Sequence, residues 1–193
     1  MIRYHQIPNK IASELIDNIV FRGRILWRDL ATWLNAYLIA KSFQSNAELE
    51  AQIINKLLNA PEDFANMLKV FFGDQVANDF SILLTNYINL LINLIDAKIY
   101  NDVNAVNEYT KQIYENNEQR AEFLSEINPF WDKRILLEHS NRFNNMMIKE
   151  IDTFIAKQYQ ESAEIFDKIL SYTSTMGDYS AHGITDYLTY SLG

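Results

Sequence analysis

The stretch ILLTNYINLLINLI, residues 82–95, is the most apolar in the chain, and how it is read decides the fold. It runs for fourteen residues, whereas a helix crossing the hydrocarbon core of a bilayer wants about twenty. Asn86, Asn89 and Asn93 interrupt it, and the same spacing extends to Asp79 and Asp96. On a helix of 3.6 residues per turn these five polar residues share one narrow stripe, and the rest of the circumference is apolar. Residues 74–100 are therefore expected to form a helix buried in a protein core, with the stripe as its wet edge or, alternatively, as the lining of a polar cavity.

Working outward, the same periodicity continues in both directions. Upstream, Ile11, Leu15, Ile19, Leu26, Leu30, Leu34 and Leu38 mark one face of a helix over 10–43. Pro8 and Asn9 stand at its start, and Gly23 is a point where it can kink between Phe21 and Arg24. Ser45 and Asn46 open a short helix over 46–59. Pro61 opens another over 61–72, which Gly73 stops. Downstream, Asn101-Asp102 begins a helix that ends at the NPFW turn, residues 128–131. Asp132 caps a helix over 133–157, and a last helix covers 159–182, with Gly183 as its stop and the tail ITDYLTYSLG frayed or docked as a short helix.

Composition agrees. The 193 residues hold only 5 Gly and 3 Pro, too few for the turns of a strand-rich domain, and 48% are apolar. No internal repeat, linker or charge block divides the chain. The expectation is one domain over residues 1–193, all-α, an antiparallel up-and-down helical bundle with four long helices and two short additional helices.

Chemistry is harder to find. A formal charge of −8 argues against capture of nucleic acid or an anionic membrane, both of which need clustered Lys and Arg. The absence of cysteine removes disulfides, thiolate metal sites and cysteine nucleophiles. The start, MIRYHQIPNK, lacks the apolar run of a signal peptide, so a cytoplasmic address is expected. No Glu-x-x-His pair, phosphate loop or GxSxG elbow is present. No catalytic residue, metal ligand or cofactor is therefore assigned. His5, His139 and His182 are not spaced as ligands, and Asp96, Glu150 and Asp167 are the carboxylates a purely acidic metal site would draw on. In FRGRILWRDLATW, Arg24 and Arg28 lie at i,i+4 beside Trp27, an arrangement suited to gripping an anion or to pairing with acids of a neighbouring helix.

Several segments carry a resemblance. LWRD (26–29), IDAKIYND (95–102), IYENNEQRAEFLSEINPFW (113–131) and AEIFDKIL (163–170) resemble, in order and spacing, a family of small uncharacterised bacterial helical-bundle proteins. In that family the corresponding texts look like HVLWTR, IIDAAKAGN, WYANADEIAAFLSxANPxW and FDKVHDH. The resemblance implies a bundle fold and no particular reaction. Family histidines are replaced here by Arg24, Tyr87 and Leu170 or Tyr172, while Trp27, Asp96, Tyr114, Asn116, Asn128, Trp131 and Asp167 match.

Together these readings lead to a non-catalytic bundle that binds an unknown protein partner or a small molecule, with no nucleic acid and no membrane, and with a homodimer as one arrangement open to it. The alternative is a ferritin-like metal-binding protein or an enzyme. Arg24, Arg28, Asp96, Asn116 and Asp167, drawn from four helices, are expected to form an interior polar cluster between the long helices.

Overall fold

The computed structural model describes residues 9–192, with side chains from 17 to 191. His5, Pro8 and the side chains of Asn9, Ile11 and Leu15 thus lie outside the described residues. Five helices follow one another: α1 (Asn9–Ser42), α2 (Ala47–Ile99), α3 (Val103–Ile127), α4 (Lys133–Ile155) and α5 (Tyr159–Leu192). The expected division into four long and two short helices is not what forms, since the shortest of the five has 23 residues.

The main difference lies in α2. Pro61 was expected to separate two short helices, yet it is buried inside a continuous arm. Leu57, Pro61, Phe64 and Leu68 make one buried stripe, and Phe64 meets Trp27 of α1 edge-on at 5.1 Å. Burial of that stripe outweighs the roughly 3 kcal/mol that an interior proline costs a helix. Gly73 is the true break, with φ of 86°, a conformation that side-chain-bearing residues rarely adopt.

Around Gly73 the helix doubles back. Lys41 Nζ lies 3.4 Å from Glu50 and 3.6 Å from Asp96, residues that one straight helix would hold about 69 Å apart at 1.5 Å per residue. The two arms of α2 are therefore antiparallel neighbours. Short connections make the remaining neighbours antiparallel too, and α5 closes the ring against α1.

The caps follow the sequence. Asn46, Asp102 and Asp132 each accept a backbone N–H three residues on, from Leu49, Ala105 and Ile135. α1 runs through Gly23 with no break, and α5 runs through both its glycines to Leu192. These glycines serve packing instead. A Cβ on Gly177 would lie 2.5 Å from Arg24 N and 2.6 Å from Gly23 C, so α1 and α5 cross backbone to backbone. A Cβ on Gly183 would overlap the Trp131 indole, which is why the expected stop is a seat for the NPFW turn. Asn128 Nδ2 donates to Gly183 O at 2.9 Å and Trp131 Nε1 to Ser180 O at 3.2 Å, fastening that turn to α5. The tail continues α5, with Ile184 buried and Tyr187 against Phe72.

One stretch of α2 is long and apolar enough to cross a membrane by length and composition. Leu84, Ile88, Leu91 and Ile95 within it face the bundle core, while Asn86, Asn89 and Asn93 are exposed. The stripe is thus the wet edge that its spacing implies, and it lines an open groove shared with Gln112, Glu115 and Gln119 of α3.

Candidate functional site

The five residues expected to converge do not meet. Arg24 is exposed and forms a two-pronged ion pair with Asp178 of α5, at 2.5 and 2.7 Å, which raises the guanidinium pKa. Arg28 and Asp167 are exposed. Asp96 accepts from Tyr37 Oη at 2.8 Å, beside Lys41 at the opposite end of α1. Arg24 and Lys41 are separated by about 25 Å of helix at 1.5 Å per residue. Of the five, only Asn116 lies in the interior, and it belongs to a different cluster.

That cluster is a polar layer joining α2, α3 and α4. Asn116 Nδ2 donates to Leu83 O at 3.0 Å, and its Oδ1 accepts from Arg120 Nε at 2.8 Å. Arg120 Nη2 donates to Asn117 Oδ1 at 2.5 Å, and Asn117 Nδ2 to Asn141 Oδ1 at 2.9 Å. Tyr87 lays its ring 4.1 Å from the Arg120 guanidinium carbon and donates its hydroxyl to Asn144 Oδ1. The Asn144 amide nitrogen is buried with no partner.

Arg120 is the unusual member. It is 3% exposed, and among the described residues no carboxylate pairs with it, although buried charges are ordinarily paired. Burial pulls its pKa down, while the Tyr87 contact works the other way. Arginine nevertheless stays protonated in proteins, so a positive charge sits in the core.

Beside it lies an interior cavity of about 30 Å³. All five helices contribute to its wall. Trp27, Phe80, Leu136 and Met176 supply apolar surface, and Arg120, His139, Ser140 and Tyr179 supply polar groups. His139 Nδ1 lies 2.7 Å from Tyr172 Oη, and burial lowers its pKa, which favours the neutral ring at pH 7. The larger depressions are open surface grooves. One, of about 750 Å³, is lined by Lys149, Lys157, Lys168, Glu161 and Glu164. Asp167 lines a second with Arg142 and Tyr172. Solvated, mixed-charge grooves lack the desolvated walls that give a small ligand its binding energy, so the smaller interior cavity is the better candidate.

Glu150 on α4 is a second buried ionisable group. Its Oε1 accepts from Asn35 at 2.7 Å and Ser162 at 3.4 Å, and Oε2 has no partner. Burial raises its pKa to about 7 against the opposing pull of those two donors. Among the described residues no three His, Asp or Glu side chains are grouped to hold a metal ion, and Asp96, Glu150 and Asp167 are dispersed.

Sequence reasoning passed over Arg120, Asn117 and Asn144, and marked Tyr87 only as the replacement of a family histidine. The signal for α3 was present: Asn116, Asn117 and Arg120 fall on the same helical face as the buried Ile113 and Ala121, so polar groups occupy inward positions. No family model, curated protein or solved structure matches this chain.

Proposed function

We propose that the protein is a non-catalytic binding bundle that takes a small molecule into the cavity bounded by all five helices. The observation that carries this reading is the cavity's composition, apolar walls with a few convergent polar groups from separate helices, the ordinary make-up of a ligand site. Two groups with perturbed pKa are already engaged within the protein: half-buried His139 is held by Tyr172, and buried Glu150 is tied to Asn35 and Ser162 away from the cavity wall. A charge of −8, with the apolar face of α2 turned into the core, supports a water-soluble cytoplasmic binder in preference to a membrane or nucleic-acid partner.

The test is a screen of the smallest polar molecules, neutral and anionic, no larger than acetamide or acetate, by ligand-observed NMR, read also through tryptophan fluorescence. Compounds that bind the native protein and lose binding in Ser140→Leu, which fills the cavity, support the reading. A screen in which none of them distinguishes the two proteins refutes it. The competing reading, a ferritin-like metal protein or an enzyme, gains if purified protein carries a stoichiometric transition metal.

A further inference from the structure

The cavity is lined by a cation whose partner is missing from the protein itself. Arg120 offers a five-donor fork, of which bonds to Asn116, Asn117 and the Tyr87 hydroxyl occupy a part. None of these neighbours neutralises it: Asn116 and Asn117 are amides, and Tyr87 is a neutral phenol whose ring lies against the guanidinium. A buried charge held only by amides and a π face is costly, and removing an opposing charge from such a pair is normally destabilising. Arg120 is one of the residues that line the cavity, and Ser140 and His139 are the other polar groups of α4 in that lining.

We propose that the ligand is a compact monoanion, a carboxylate or inorganic anion of formate or nitrate size, whose charge pairs with Arg120. This rests on the reading that the cavity is the binding site. Size follows from volume: a single water needs roughly 10–15 Å³, so about 30 Å³ accommodates about two to three water-sized atoms, which matches formate and makes nitrate the upper limit. Charge follows from Arg120, whose planar fork matches carboxylate and nitrate oxygens. The apolar wall of Trp27, Phe80 and Met176 lowers the local polarity, which strengthens such a pairing.

The experiment titrates the intact protein with sodium formate and sodium nitrate, balancing ionic strength with sulfate, a dianion too large for the cavity. Calorimetry and Trp fluorescence are the readouts, and formamide is the neutral counterpart. The expected result is saturable one-to-one binding of formate or nitrate, none of formamide, and affinity lower by about ten-fold or more in Arg120→Gln, the size of a lost charge-assisted hydrogen bond. Should Arg120→Gln fail to fold by circular dichroism, Ser140→Leu retains the charge and fills the cavity, and it must abolish anion binding. Equal binding of formamide and formate, or unchanged affinity in the variant used, overturns the anion assignment. Neutral fragments that occupy the cavity while anions do not would overturn this inference alone, whereas no occupancy by either class would overturn the binding site with it.

Discussion

The α1–α5 seam and the inner faces of α3 and α4 handle polarity in opposite ways. At the seam, Gly23 and Gly177 let two backbones touch, Gly183 admits an indole, and a charged pair, Arg24–Asp178, stays at the exposed rim. On α3 and α4, Asn116, Asn117, Arg120, Asn144 and Glu150 are all buried, and two of them keep an unpartnered polar atom. The seam is built for close packing, which is sensitive to volume. The inner faces carry desolvated polar groups, which are sensitive to charge and protonation.

The comparison breaks most visibly at Trp131, where the NPFW turn meets the seam. Truncating a buried tryptophan to alanine costs about 3–5 kcal/mol, which in a domain of this size lowers Tm on the order of 10 °C. Differential scanning calorimetry of Trp131→Ala measures this, and an unchanged Tm would show that the turn does not hold α5.

Glu150 tests the other region through pH. Its folded pKa, about 7, lies above the ordinary 4.5, so the folded protein keeps a proton that the unfolded chain releases. The stability this group contributes is whole below about pH 4.5, declines as pH rises to about 7, and falls on the order of 3 kcal/mol in all. Glu150→Gln is therefore expected to raise Tm above neutrality, to leave it nearly unchanged near the acid end of that window, and to flatten the slope between. Parallel stability curves for the two proteins across that window would contradict it.

A smaller effect separates packing from propensity at the seam. Gly177→Ala raises intrinsic helix propensity by about 1 kcal/mol, yet its Cβ collides with backbone, and overpacking costs roughly 1–3 kcal/mol. A net loss of stability in urea denaturation is expected, with a gain excluding the close crossing. Asp178→Asn should change least. The pair it removes is exposed and screened, so no shift in the urea midpoint is expected at physiological salt. A shift as large as that of Gly177→Ala would mean the rim ion pair, not the glycine crossing, holds the two helices together.

The sequence by itself determined that this chain is all-α, because its 3.6-residue apolar spacing and shortage of Gly and Pro are local properties that need no partner to be read. It also determined the caps at Asn46, Asp102 and Asp132 and the break at Gly73, since each is satisfied within a few residues of chain. Only the tertiary structure decided that Pro61 lies inside a helix and that Gly183 seats an indole. Both outcomes depend on surfaces far away in sequence, Trp27 in one case and Trp131 in the other. The interior site divides in the same way. The inward register of Asn116, Asn117 and Arg120 was legible in α3 alone, and the five expected cluster residues were plausible on spacing, but helix spacing gives angle without depth. Whether a polar side chain ends beside an acid at the rim, as Arg24 does, or against amides and a cavity, as Arg120 does, is set by what the neighbouring helices present, and that is fixed only when they pack.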